Sequence, residues 1–268
     1  MSESQKSVVQ SAAKVFAVLR AFDSAQPELI LSEIAARAGL DRGTAFRLIN
    51  TLVALGYLAA VPDSRRFRLT LKCLELGYTA LSQGGLRVMA APLLRALVPA
   101  RTDAASLGVL DGPDVVYIER AQSPTAQREL DRRVGSRTGA YAAALGHAIL
   151  AWLPLDEARA VLESGERVRL SERTVVDLDA LLERLQIVRA AGYAVSDGEN
   201  AYGLRTLAAP VMGRDGRPVA GISLTVRSQR MSMEAFKADA LDLLLQTAAA
   251  LTEAVRLTGN ATSDRLAG

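Results

Sequence analysis

The chain has 268 residues, of which 50% are hydrophobic and 23% charged, with a net charge of +3. That balance excludes a disordered or fibrous chain, and the length favours two folded units over one. No apolar run approaches the roughly 18 residues of a membrane span, and the start MSESQKSVVQ lacks the apolar core of a secretory signal, so a soluble, cytoplasmic protein with no membrane partner is expected.

Cys73 and His147 are each the single residue of their kind, which leaves no internal disulfide and no ordinary Cys/His zinc site; neither metal nor cofactor is expected. The charge is unevenly placed. Residues 1–80 hold ten Lys and Arg against seven Asp and Glu, the whole of the excess. Residues 37–72 carry Arg37, Arg42, Arg47, Arg65, Arg66, Arg68 and Lys72 against Asp41 and Asp63, a surface suited to a polyanion or simply a soluble face.

In chain order, Ser11 is a candidate cap for a helix over Ala12–Phe22, with an apolar stripe of Val15, Phe16, Val18 and Leu19, ended near Pro27. LSEIAARAGL (31–40) reads as a short helix capped by Ser32 and stopped by Gly39. DRGTAFRLINTLVALGYL (41–58) opens on an Asp41 cap and ends at Gly56. It places Ala45, Leu48, Ile49 and Leu52 on one face and Thr44, Arg47, Asn50 and Thr51 on the other. Two helices about a glycine turn fit a helical hairpin in a bundle or a helix-turn-helix whose second helix enters a major groove. The next segment favours the second reading: strand-like runs at 57–61 and 67–71 flank Pro62-Asp63-Ser64 and a basic tip, as in a wing. Phosphate contacts then fall to Arg65, Arg66 and Arg68, and base reading to the 41–51 segment, including Arg42.

KCLELGYTALSQ (72–83) reads as a linker helix whose apolar face, Cys73, Leu74, Leu76 and Leu81, packs on a partner subunit or on its own domain, and Gly84-Gly85 breaks it. Beyond it, helices are expected at 86–100, 145–163, 177–191 and 233–256. Strands are expected at 105–110, 115–120, 193–195, 206–212 and 218–227, with hairpin turns at 111–113 and 214–216, an α+β domain. No catalytic constellation is apparent: His147 reads as a helix residue rather than a base, and Arg128, Glu129, Asp131, Arg132 and Arg133 as a solvated strand and turn. The Gly/Ala-rich stretch 134–151 enters a helix whose free N–H groups suit an anion, and Thr206, Ser223 and Thr225 lie on strands, the last two sharing a face. Close packing alone also explains the small residues.

Along nearly its whole length the chain resembles the IclR family of bacterial regulators. The resemblance rests on LSEIAARAGL, DRGTAFRLINTLVALGYL, GSRTGAYAAALGHAILA and, above all, GYAVSDGENAYGLRTLAAPVMGRDGRPVAGISLTV. It implies a winged helix-turn-helix over 1–71, a linker helix over 72–85 involved in dimer formation, a GAF-like effector domain over 86–260 and a disordered tail at 261–268. It further implies a homodimer or dimer of dimers on a pseudo-palindromic DNA operator, without enzymatic activity. Carried over by position, the effector pocket would use Ala144, Leu145, Asp197, Leu204, Thr206, Ser223 and Thr225. Thr206 departs from members that carry cysteine there, and His147 from the usual Arg or Lys. Arg137 and Tyr141 resemble the branch that responds to aromatic acids such as 4-hydroxybenzoate or protocatechuate, a guanidinium suiting the carboxylate and a phenol the ring. An aliphatic keto or dicarboxylic acid is the alternative ligand, and an enzyme with a DNA-binding head or a ligand-independent DNA-binder the alternative functions.

Overall fold

The computed structural model describes residues 9–23, 25–82, 85–124 and 132–258. The chain divides into two compact units, residues 1–83 and 84–268. The expected tail at 261–268, Gly84, and Arg128, Glu129 and Asp131 lie outside the described residues.

The first unit holds α1 (Gln10–Arg20), β1 (Glu28–Ile30), α2 (Leu31–Ala38), α3 (Arg42–Ala54), β2 (Leu58–Ala60), β3 (Arg66–Leu69) and α4 (Cys73–Ser82). Its core is the stripe each helix turns inward: Val18 from α1, Ile34 from α2, Ile49 and Leu52 from α3, closed by Leu29 and Leu58 from the strands. The α2–α3 turn is set by Gly39, whose φ of 64° is a left-handed value that glycine adopts without steric cost. Asp41 then caps α3, accepting the Thr44 N–H at 2.9 Å.

Two caps differ from expectation. Helix α1 begins one residue before Ser11, with Val9 at its cap position. Helix α2 begins at Leu31, so Ser32 lies inside its first turn. The reason is β1, unforeseen from sequence: it runs directly into α2, leaving Ile30 extended at the cap position, and the Glu33 carboxylate accepts the Ile30 N–H at 2.9 Å. The wing is thus the outer part of a three-stranded antiparallel sheet, order β1-β3-β2.

The second unit is a six-stranded antiparallel sheet, order β6-β5-β4-β9-β8-β7, covered by helices. Its strands are β4 (Ala104–Asp111), β5 (Asp114–Gln122), β6 (Arg137–Gly139), β7 (Ala194–Asp197), β8 (Leu204–Met212) and β9 (Pro218–Arg227), and β6 was not foreseen. Its helices are α5 (Gly85–Arg101), α6 (Ala144–Leu150), α7 (Leu155–Glu163), α8 (Leu178–Ala191) and α9 (Met233–Thr258). The single helix expected over 145–163 is two, because Pro154 supplies no N–H and disfavours helical backbone in the residue before it; α7 starts behind it.

Strand alternation sorts the sheet's faces. Leu107 on β4, Leu207 and Val211 on β8, and Ile222, Leu224 and Val226 on β9 pack into a core with α5 and α9. The opposite face carries small or polar residues on the same strands: Ser106 pairs with Ser223, Ala104 with Thr225, and Thr206 with Thr225. Helices α6, α7 and α8 build a second core around Leu145, Leu150, Leu162, Leu181 and Leu185.

Candidate functional site

Two places concentrate chemistry, one in each unit. In the first, α3 turns Arg42, Arg47, Asn50 and Thr51 outward, with Thr44 half-buried, and contains no carboxylate. Local bonds already use some of these groups: the Thr51 hydroxyl donates to the Arg47 carbonyl at 3.0 Å, and Arg47 Nη2 lies 3.4 Å from Thr44 Oγ1. Around the wing, Arg65, Arg66 and Arg68 are exposed, but their roles differ. Arg66 donates to the Glu28 carbonyl at 2.9 Å and lies 3.7 Å from the Glu33 carboxylate, so its guanidinium ties β3 to β1 and α2. Arg65, beside Asp63 with its φ of 54°, stands at the turn.

In the second unit, the polar face of the sheet and α6 enclose a cavity of about 380 Å³. Seven residues named from sequence line it: Arg137, Ala144, Leu145, Leu204, Thr206, Ser223 and Thr225. Thr206 and Thr225 face each other across β8 and β9, their hydroxyl oxygens 3.1 Å apart. Gly146, on α6 next to Leu145, is forced by packing: a Cβ there would stand 2.1 Å from the Ala140 carbonyl oxygen. That approach also aims the neighbouring His147, fully buried, at the Tyr141 carbonyl, 2.6 Å from Nε2. Burial pushes the His147 pKa down to about 4, and Nδ1 has no partner among the described residues, so the ring sits neutral with its proton on Nε2, toward the Tyr141 carbonyl.

Two residues expected in the pocket are elsewhere. Asp197 is engaged by Arg205 at 3.0 Å and Arg173 at 3.1 Å and lines a separate open groove with Arg184 and Lys237, because it is the odd partner of Ser196 on β7 and alternation turns it to the other face. The Tyr141 hydroxyl accepts the Val168 N–H at 2.9 Å and donates to the Val168 carbonyl at 2.8 Å, which holds its ring away from the cavity. Arg137 does reach the lining, yet its guanidinium bonds Asp114 at 3.0 Å, Asp111 at 2.5 Å and the Asp111 carbonyl at 3.0 Å. Those carboxylates raise its pKa, so the pair offered for an aromatic acid is already satisfied by the protein.

The sequence reading missed Tyr117, Arg120, Arg132, Ser136, Ser196 and Asn200, all in the lining. Arg120 is there because of a bulge. Tyr117 pairs with Gly108 and Arg120 with Ser106, so two residues between them on β5 oppose one on β4. The extra residue puts an odd and an even position on one face. Glu119 then turns to the other face and meets Arg87 of α5 at 2.8 Å. Arg120 donates to the Ser106 hydroxyl at 2.6 Å, while burial and the neighbouring Arg132 hold its pKa below the usual arginine range. Arg132, expected to be solvated, is half-buried with its guanidinium 5.6 Å from the centre of the Tyr117 ring. Asn200 accepts the Thr138 hydroxyl at 3.1 Å and brings the loop after β7 to the cavity's edge.

Family models match both parts of the chain: the IclR helix-turn-helix domain over residues 11–62 and the bacterial transcriptional regulator IclR C-terminal domain over residues 78–253. The HTH-type transcriptional regulator KdgR of Escherichia coli is 35% identical over 87% of this chain and 88% of its own. A transcriptional regulator from Rhodococcus sp. RHA1 superposes with a TM-score of 0.80 at 38% identity, covering 94% of this chain and all of that one. An IclR homolog from Microbacterium hydrocarbonoxydans, solved with 4-hydroxybenzoate, gives 0.75 at 26% identity over 92% of this chain and 99% of its own.

Proposed function

The chain belongs to the IclR family of DNA-binding transcriptional regulators with a small-molecule effector domain, and on that premise we propose that its cavity binds a small hydroxylated carboxylic acid that sets operator occupancy. The observation that carries this reading is the pairing of two guanidinium groups, Arg120 and Arg132, with a wall of hydroxyls and an amide from Ser136, Ser196, Asn200, Thr206, Ser223 and Thr225. Partly desolvated arginine favours an anion that accepts two hydrogen bonds at once. The Thr206–Thr225 and Asn200–Thr138 bonds leave these hydroxyl and amide groups further donor and acceptor capacity, which matches a ligand bearing several hydroxyl or carbonyl oxygens.

An aromatic acid is the second reading. It is favoured by the Tyr117 ring in the wall and by the homolog solved with 4-hydroxybenzoate. Against it, Tyr117 is the only aromatic side chain among the described lining residues, and Arg132 lies over its face. Aromatic ligands are ordinarily held in more apolar slots.

The acid acts only through differential affinity: it must bind one arrangement of the protein better than another to change how the heads occupy DNA. Self-association places two recognition helices on one operator, and Leu74 and Leu76 of α4, both exposed in the single chain, are suited to that contact.

The test is a thermal-shift screen of hydroxylated aliphatic and aromatic carboxylic acids against the purified protein and its Arg120→Met, Thr206→Val and Ser223→Ala variants. An acid at 100 times its dissociation constant adds about 2.7 kcal/mol of stability. The expected result is a rise with a hydroxylated aliphatic acid, abolished by Arg120→Met and reduced by the hydroxyl variants. A rise confined to benzoates would establish the second reading, and no rise with any acid would remove both.

A further inference from the structure

Helix α3 exposes a phenylalanine for which the fold has no use. Phe46 is 52% exposed and stands outside the apolar cluster that Ile49 and Leu52 join from the same helix. Steps of three, four and seven residues set Gly43, Phe46, Arg47 and Asn50 along one stripe of the helix, and all four are exposed.

Gly43 is equally unexplained by folding. Its backbone is ordinary helix, and a Cβ there would meet only Asp41 Oδ1, at 3.4 Å. Neither torsion nor packing asks for glycine, which costs a helix stability relative to alanine. What its bare surface provides is clearance: another body can approach the helix axis one turn before the Phe46 ring.

The surroundings select the kind of body. Arg47 lies within the stripe and Arg42 beside it, no carboxylate lies on α3, and the wing of the same unit adds Arg65 and Arg68. A polyanion suits that charge, and the major groove of a DNA duplex offers an apolar feature for an exposed ring in the C5-methyl group of thymine. Asn and Arg are the side chains that read adenine and guanine edges beside it.

We propose that Phe46 is a specificity-determining residue that packs on a thymine methyl in the major groove, with Gly43 providing clearance and Arg47 and Asn50 reading the flanking bases. The reading face of α3 is thereby turned toward 43, 46 and 50 and away from Thr51, whose hydroxyl is tied to the Arg47 carbonyl. This rests on the DNA-binding assignment of the first unit.

The experiment selects a preferred site from random duplexes with the full-length protein, then replaces each thymine in that site with deoxyuridine, which removes the methyl and nothing else. At one thymine of each half-site, deoxyuridine should weaken wild-type binding about fourfold, the worth of one buried methyl-sized group. Phe46→Ala, which removes the ring from both half-sites, should bind the thymine duplex as weakly as the wild type binds one with deoxyuridine in both half-sites, with no further loss from deoxyuridine, and Phe46→Leu should keep part of the discrimination. A site in which no methyl matters, or in which its effect persists undiminished in Phe46→Ala, overturns the proposal while leaving DNA binding intact. Loss of self-association in Phe46→Ala without DNA, with sequence preference unchanged, assigns the ring to a second copy and overturns it as well. Failure to select any duplex removes the DNA-binding reading and this proposal together.

Discussion

The two units build their sites by opposite routes. The reading face proposed for the first is a single helix, so every side chain on it is placed by sequence spacing and a cap. The cavity in the second collects residues from β5, β6, β7, β8, β9 and α6, plus Ala143 and loops at 132–136 and 200–201, and those on strands are placed by register. A site of the first kind is altered one residue at a time. A site of the second kind depends on contacts far from any ligand.

The sharpest test of that difference is Gly146→Ala. A methyl at 2.1 Å from the Ala140 carbonyl requires α6 or the turn before it to shift, at a cost of about 1–3 kcal/mol in the stability of the second unit, measured by urea denaturation. Effector-induced thermal shifts should fall with it, although Gly146 is absent from the lining. Unchanged stability would show that the helix slides freely.

His147 extends the argument to pH. Its folded-state pKa of about 4 lies below the unfolded value of 6.5 because burial disfavours the charged ring. The unfolded chain therefore binds a proton first as pH falls through 6.5. The stability present above pH 6.5 declines on acidification, by about 2 kcal/mol at pH 5, until the folded state also protonates. Urea midpoints at pH 7 and pH 5 should fall further for the wild type than for His147→Leu, and equal falls would exclude the imidazole as the cause.

For the head the effects are smaller and independent. Arg65→Ala with Arg68→Ala should lower the salt dependence of binding by about two units on operator and random DNA alike, as phosphate contacts do. Arg66→Ala should instead lower stability, because its guanidinium bonds Glu28. Asp41→Ala should cost about 1 kcal/mol through the lost cap on Thr44, with α3 otherwise intact.

What could be read from sequence follows the same division. Gly39, Asp41, Ile49 and Leu52 were legible because helix periodicity and capping are local rules, and Ser223 and Thr225 because alternation within one strand is too. Strand β1 escaped notice because three residues after Pro27 carry almost no pattern, and β6 for the same brevity. Arg120 was hidden by the bulge: strict alternation from Tyr117 sends it to the wrong face. Arg132 looked like one member of a solvated charge run, and only the fold brings it over Tyr117. Tyr141 and Arg137 carry chemistry that suits a ligand, but Val168, Asp111 and Asp114 already bond it, and of the two Arg137 reaches the lining.

Strand β9 serves two masters that never meet. Ile222, Leu224 and Val226 are held by the core, whereas Ser223 and Thr225 look into the cavity. Mutation at the first set strikes the core, and on the reading proposed above mutation at the second strikes the ligand. If the cavity holds the effector as proposed, a lineage carrying such a strand can change its metabolite through the odd-numbered positions while the even-numbered ones keep the core.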